Sequence, residues 1–157
     1  MKKAAVIGNP IEHSKSPLIH NYWLKKLEIE GSYEAIKAVN EKDFENVVSR
    51  LIEKKYCGFN ITVPYKLKAH ELAHKKIDYP KCPYHENLMA SNTIKIDKKG
   101  ELHSYNTDYF GFAASLIQNN IFINKIKNIV ILGAGGAARS IIFGLLSEEL
   151  KTKTKIT

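Results

Sequence analysis

The stretch that most constrains the fold of this chain is Gly58-Phe59-Asn60-Ile61-Thr62-Val63-Pro64-Tyr65-Lys66. It begins as a short apolar strand, and Pro64 ends it. Proline lacks the N–H that a strand ladder needs and pushes the residue before it out of the helical region. Residues two apart on a strand share a face, so Asn60 and Thr62 point the same way. Lys66 then opens the next helix. An amide, a hydroxyl and an amine are thus brought to the carboxyl end of one strand, which is where open α/β sheets hold small polar ligands. A capped strand end with a solvated lysine has the same sequence, and this segment alone does not separate the two.

The residues before it set the fold class. Lys3–Gly8 has the composition of a buried strand, and Gly8-Asn9-Pro10 stops it. Ser16 is placed to cap a helix with Pro17 as its first residue, and Ile19, Tyr22, Trp23 and Leu27 follow at helical spacing. Ser14 and Ser16 therefore lie just before a helix N-terminus, a place suited to a carboxylate or phosphate. Ser16 as a plain cap explains the same pattern. Ser32–Val39 predicts a second strand, and Asn40 caps a helix whose apolar face is Phe44, Val47, Val48, Leu51 and Ile52. The order strand, helix, strand, helix, strand predicts an α/β fold: an open, parallel sheet covered by helices.

Beyond Lys66, residues Lys75–Tyr84, with Pro80 and Pro83, predict a loop. Ser91–Asp97 and Glu101–Tyr105 flank Lys98-Lys99-Gly100 as a hairpin, with Asn92 entering its first strand. Asn106 or Thr107 caps a helix with the apolar face Tyr109, Phe112, Ala113, Leu116 and Ile117. Asp108 falls in its first turn, where an acid commonly complements the helix dipole. Lys127–Leu132 predicts a strand that runs straight into Gly133-Ala134-Gly135-Gly136-Ala137-Ala138 and a helix through Ile141, Ile142, Leu145 and Leu146. This is the G-x-G-x-x-[GA] turn, whose glycines let the backbone approach a pyrophosphate. A further strand is expected at Lys153–Thr157. His70-Glu71-Leu72-Ala73-His74 matches the zinc-hydrolase pattern H-E-x-x-H. Its flanks Lys68, Lys75 and Lys76 mark an exposed helix, and the extended pattern would need glycine at 77 and histidine at 80, where the chain has Ile77 and Pro80. No metal is expected.

Composition narrows the partners. The 157 residues suffice for one domain, or one and part of another. No run approaches the roughly 18 apolar residues needed to cross a bilayer, and the apolar run at the N-terminus is too short for a signal peptide. Cys57 and Cys82 fit no metal spacing, which predicts a reducing, cytoplasmic setting. The net charge is +8, but only Arg50 and Arg139 are arginine and the lysines are spread along the chain. Base readout and phosphate forks favour arginine, so no nucleic-acid partner is expected. The positive field still helps to draw in an anionic ligand.

In register, five of these segments resemble shikimate dehydrogenase: Gly8-Asn9-Pro10 with His13-Ser14-Lys15-Ser16-Pro17; Asn60-Ile61-Thr62-Val63-Pro64-Tyr65-Lys66; Ser91-Asn92-Thr93; Asn106-Thr107-Asp108 with Gly111; and Gly133-Ala134-Gly135-Gly136-Ala137. The resemblance implies a shikimate-binding catalytic domain over 1–106, then a connecting helix and the truncated start of a Rossmann NADP-binding domain over 107–157. It implies an oxidoreductase that interconverts 3-dehydroshikimate and shikimate, a step toward chorismate and the aromatic amino acids. Ser14 and Ser16 would hold the substrate carboxylate; Asn60, Thr62, Asn92 and Asp108 its hydroxyls; Lys66, paired with Asp108, would be the acid–base. Gly133, Ala134, Gly135, Gly136, Ala137 and Ala138 would meet NADP, with Asp78 a further cofactor contact. A homodimer is compatible with the family. Leu88-Met89-Ala90-Ser91 stands where the family has glycine and a small apolar residue before Asn-Thr. The family's Asn-Arg-Thr segment for the NADP 2′-phosphate, a substrate-binding glutamine and the closing helices would fall past Thr157, so the 157 residues by themselves are expected to be inactive. A non-catalytic remnant that binds shikimate-like acids is the alternative, and the zinc hydrolase a third.

Overall fold

The computed structural model describes residues 1–77, 85–122, 125–146 and 155–156. β1 (Lys2–Gly8) lies between β2 (Gly31–Lys37) and β3 (Gly58–Ile61), parallel to both. Its Ala5–Gly8 run is buried without alternation, as a central strand covered on both faces requires. α2 (Glu41–Glu53) lays Phe44, Val47, Val48 and Leu51 on the face made by Ala5, Ile7, Phe59 and Ile61. Each such side chain contributes about 1.5–3 kcal/mol when fully buried. The Phe44 ring stacks on Tyr65, centroids 4.9 Å apart, which ties α2 to the turn after β3. Asn40 caps α2 as its sequence predicts: its Oδ1 accepts the Asp43 N–H at 2.9 Å, and Asp43 Oδ2 accepts from Val39 N–H.

α1 (Ser16–Lys26) rests on the other face, beside β2. Asn21 clasps Tyr33 there by both backbone groups, at 2.8 and 2.9 Å. The periodic Ile19, Tyr22, Trp23 and Leu27 marked the helix but not its buried face, for all four are exposed and the sheet is met by His20, Asn21 and Leu24. The start also differs from expectation. Lys15 holds the N-cap position without a side-chain bond, Ser16 is already helical, and Ser14 Oγ accepts the Ser16 N–H at 3.3 Å.

The sheet is mixed rather than parallel throughout. β5 (Thr93–Ile96) runs antiparallel to β3 and forms the expected hairpin with β6 (Leu102–Tyr105), giving six strands in the order β2-β1-β3-β5-β6-β4. Asp97 Oδ1 holds the hairpin turn by accepting from Lys99 and Glu101 N–H, and Gly100 takes the positive φ of +82° that the turn needs. α3 (Lys66–Leu72) leads into β4 (Lys75–Lys76), a two-residue edge strand parallel to β6 in a segment expected to be loop. Two lysines are too few to show alternation, although lysine on an exposed edge is a common guard against edge pairing.

α4 (His85–Leu88) precedes β5, and α5 (Asp108–Gln118) leaves β6 and packs on α6 (Gly136–Leu146). The two helices touch closely at Gly144, where an added Cβ would lie 2.9 Å from the Tyr109 carbonyl oxygen. Ile117, expected on the apolar face of α5, is exposed. β7 (Asn128–Ile129) pairs in parallel with β8 (Lys155–Ile156), so the strand expected over Lys127–Leu132 is paired over two residues. Among the described residues no helix is long and apolar enough to cross a membrane. Asp78 and Cys82 lie outside the described residues.

Candidate active site

Lys66, Asn92 and Asp108 come from three separate segments and meet at one point. The proline turn after β3 makes Lys66 the first residue of α3, Asn92 directly precedes β5, and Asp108 opens α5. Lys66 Nζ donates to Asp108 Oδ2 at 2.6 Å, with side chains 14% and 27% exposed. Asp108 Oδ1 accepts from Asn92 Nδ2 at 2.8 Å. The carboxylate is thus fixed on one side by a cation and on the other by an amide. A half-buried pair of this kind is held more firmly than a surface ion pair, because less water competes for either partner.

Asn106 and Thr107 supply the frame. Asn106 is 4% exposed. Its Oδ1 accepts the Asp108 N–H at 2.9 Å, and its Nδ2 donates to the Ala90 carbonyl at 2.8 Å and to Ser140 Oγ of α6 at 3.0 Å. Thr107 holds the N-cap position of α5 and bonds Asn92 twice: its Oγ1 accepts from Nδ2 at 2.9 Å and its N–H donates to Oδ1 at 3.1 Å.

A second group, Ser14, Ser16 and Thr62, lines a cleft of about 330 Å³ with His13, Val6 and Ile11. Hydroxyls at the start of an eleven-residue helix suit an anionic oxygen. Since Ser14 takes the local N–H, the Ser16 hydroxyl has no capping bond to make. Asn60 shares the strand face with Thr62, yet it lines a different cavity, with His20, Tyr33 and Thr93. Oδ1 accepts from the Tyr33 hydroxyl at 2.7 Å, and Nδ2 donates to Thr93 Oγ1 at 2.9 Å. Burial pushes the Tyr33 phenol up to about 12.

The glycine turn is a third group. Gly136, first residue of α6, sits against the stem of Lys66: an added Cβ would lie 2.9 Å from Lys66 Cβ and 3.4 Å from Ala90 Cβ. Gly133 has a φ of +122°, and nothing lies within 4 Å of a Cβ built at Gly133 or Gly135. Ala134 and Ala137 are exposed, and Ala138 is buried in the helix packing. Open space above bare backbone at a helix start fits a pyrophosphate.

Sequence reasoning gave no role to Tyr33, Thr93, Thr107 or Asn106 beyond a strand position or a cap. The signal for Thr93 was its place beside Asn92; for Asn106 it was an amide directly before a capping threonine. The helix that H-E-x-x-H requires ends at Leu72. His70 Nδ1 lies 3.3 Å from Ser91 Oγ, while His74 Nδ1 accepts the Leu102 N–H at 3.0 Å, so the two imidazoles serve different segments. Among the described residues the one group of three metal-type ligands is Asp97, Glu101 and His103 on the hairpin. There Lys75 Nζ already pairs with Glu101 at 3.1 Å and Asp97 holds the turn.

Comparison with known proteins bears on this arrangement. Residues 6–94 match the family described as the shikimate dehydrogenase substrate binding domain. The chain belongs to the shikimate dehydrogenase family. It is 41% identical over 146 residues to a shikimate dehydrogenase (NADP(+)) of Brucella canis, covering 93% of this chain and 48% of that one. Shikimate 5-dehydrogenase of Thermus thermophilus, solved with shikimate, superposes with a TM-score of 0.82 at 29% identity, covering 99% of this chain and 56% of that one. The same enzyme solved with NADP(H) and shikimate gives 0.80 at 31%, covering 99% and 55%. The chain spans about half the length of the curated relatives it matches. Its α/β fold with a mixed six-stranded sheet matches the substrate-binding domain of the shikimate dehydrogenase family.

Proposed function

We propose that the protein is the substrate-binding and catalytic part of a cytoplasmic, NADP-dependent shikimate dehydrogenase, which interconverts 3-dehydroshikimate and shikimate on the way to chorismate. Residues 1–106 form the shikimate-binding unit, and 107–157 the connecting helix and the start of a Rossmann nucleotide-binding unit. The observation that carries this reading is the Lys66–Asp108–Asn92 cluster, in a chain that also forms a cleft lined by the hydroxyls of Ser14, Ser16 and Thr62.

In this reading Ser14, Ser16 and Thr62 hold the substrate, with the serine hydroxyls donating to its carboxylate. Asn92 and Asp108 orient the ring hydroxyl that reacts. Lys66 Nζ takes that hydroxyl's proton during oxidation and returns it during reduction, the share of work a positioned acid–base supplies. Asp108 keeps the amine at the reacting oxygen. Gly133, Ala134 and Gly135 are the backbone that would hold the pyrophosphate of NADP, and α6 would turn its N-terminus to it. NADP, when bound, supplies the hydride acceptor.

Titration of the 157-residue chain with shikimate, followed by calorimetry, tests the substrate half. Binding that weakens on Ser14→Ala and on Thr62→Val is expected. No binding, or binding indifferent to both changes, would count against the assignment. The same residues in a protein carried through a complete cofactor unit test the reaction. Turnover by that protein, with binding and no turnover by the 157 residues alone, is the expected pair of results, because positioning of the two reactants supplies several powers of ten in rate.

A further inference from the structure

Four hydrogen bonds run in one direction from the buried Tyr33 of β2 to the Asp108 carboxylate. The Tyr33 hydroxyl donates to Asn60 Oδ1 at 2.7 Å, Asn60 Nδ2 to Thr93 Oγ1 at 2.9 Å, Thr93 Oγ1 to Asn92 Oδ1 at 3.1 Å, and Asn92 Nδ2 to Asp108 Oδ1 at 2.8 Å. We propose that Thr93 is a positioning residue, directed by Asn60 and Tyr33, which fixes the Asn92 carboxamide so that its N–H groups and not its oxygen face Asp108. This rests on the catalytic reading above and deepens it.

A carboxamide turned by 180° has nearly the same shape but exchanges donor for acceptor. For Asn92 the difference is decisive, because an oxygen facing Asp108 would repel the carboxylate that holds Lys66. Two donors set the orientation by pointing at Asn92 Oδ1: the Thr107 N–H and the Thr93 hydroxyl, each at 3.1 Å. A backbone N–H cannot change its role, but a threonine hydroxyl can donate in several directions. Asn60 removes that freedom. Its NH₂ is donor-only and points at Thr93 Oγ1, so the hydroxyl proton must go elsewhere, and Asn92 Oδ1 is the acceptor in reach. Asn60 is itself oriented by the Asn92 backbone carbonyl, an acceptor only, 3.4 Å from its Nδ2, which leaves its Oδ1 to the Tyr33 hydroxyl; Tyr33 is 7% exposed, clasped by Asn21 through its backbone and stacked on His20 with ring centroids 4.1 Å apart. Bonds aligned head to tail polarise one another, which adds to the donor strength of the last member. On this account Asn60 acts on the substrate through Thr93 and Asn92 rather than by touching it.

The test compares Thr93→Val, which keeps the shape and loses the hydroxyl, with Thr93→Ser, which keeps the hydroxyl. In a protein carried through a complete cofactor unit, Thr93→Val should lower kcat about tenfold, the share of one neutral hydrogen bond, with KM for shikimate little changed. Thr93→Ser should restore kcat, and Tyr33→Phe should fall between. Placed on Asn92→Ala, Thr93→Val should cost nothing further, whereas independent, multiplying effects would overturn the proposal. A readout on the 157-residue chain does not depend on turnover: the Asn92 side-chain NH₂ resonances, assigned by their loss in Asn92→Asp. They should shift and lose exchange protection in Thr93→Val and keep both in Thr93→Ser. Unchanged resonances in Thr93→Val would refute the positioning role even in an active enzyme. A wild-type protein without shikimate turnover but with the shift would refute the catalytic reading and leave the relay standing.

Discussion

The three glycines of the Gly133–Gly136 turn are expected to answer the same substitution, alanine, in three ways. At Gly136 the new methyl would lie 2.9 Å from Lys66 Cβ, an atom fixed to the backbone of α3 and unable to swing away. Overpacking of this kind costs about 1–3 kcal/mol. The gain in helix propensity is at most about 1 kcal/mol in a helix interior and smaller at the first residue of α6. The clash wins, for a net loss of about 1–2 kcal/mol. For a chain of this size that lowers the melting temperature by about 3–6 °C. At Gly135 nothing lies within 4 Å and φ is ordinary, so alanine should be neutral or stabilise by about 0.4–1 kcal/mol through the unfolded chain. At Gly133 the space is open too, but the φ of +122° strains any Cβ, by about 1–3 kcal/mol. The assay is urea and thermal unfolding of the three variants, followed by far-UV circular dichroism. Gly135→Ala as the most damaging of the three, or Gly136→Ala as stable as wild type, would show that α6 does not sit against Lys66 as described. If Gly135 is bare because a pyrophosphate needs the room, Gly135→Ala should weaken NADP binding in the complete protein while leaving stability intact.

Lys66→Ala, in a protein carried through its cofactor unit, should lower turnover by about 10²–10⁴-fold and shikimate binding by much less; near-normal turnover would remove Lys66 from the mechanism. Asn40→Ala should cost about 1 kcal/mol, read as a lower urea midpoint with unchanged slope, because it removes the cap on α2. Tyr33 titrates well above the ordinary tyrosine range in the folded protein. Because burial penalises the phenolate, this group leaves folding stability unchanged below about pH 10 and lowers it as pH rises from about 10 to about 12. Ultraviolet phenolate titration should show this late phase diminished in Tyr33→Phe; an unaltered late phase would show that Tyr33 is not its source. Elemental analysis of protein purified without chelator should find no stoichiometric zinc, and one zinc per chain lost on His70→Ala would restore the hydrolase reading.

The sequence spoke most clearly where a local rule and a tertiary need agreed. Asn40 and the Phe44–Leu51 stripe gave α2 correctly, since capping and the 3.6-residue period both act within one helix. The hairpin about Gly100 was legible for the same reason. Lys66 stood out in its own segment, but its meeting with Asn92 and Asp108 could be expected only by resemblance, because nothing in a linear spacing of 26 and 16 residues says that three strand ends will coincide. The direction of the Asn60 carboxamide was beyond a strand-face argument, which fixes the side of the sheet but not the partners, Tyr33 and Thr93, that the side chain takes there. The antiparallel turn of β5 into the sheet was hidden by the preceding βαβ rhythm, and β4 by its brevity. α1 misled most: its large apolar residues lie at helical spacing, yet the contact that holds it is the polar clasp of Asn21 on Tyr33.

The proposed boundary at residue 106 passes between the two partners of the Lys66–Asp108 ion pair. Lys66 stands on one side, Asp108 on the other, and the buried Asn106 amide grips both flanks as well as Ser140. A protein cut at that boundary would keep Ser14, Ser16 and Thr62, the hydroxyls proposed to recognise the acid, and yet lose Asp108, the partner of the Lys66 amine. Any rocking of the nucleotide-side elements must likewise pivot farther along the chain than Asn106, or else part the ion pair. On the proposed division the joint between the two units would work as a locating pin rather than a hinge, and chimaeras that exchange cofactor units should place their junction after α5, where the Asp108 register travels with the lysine.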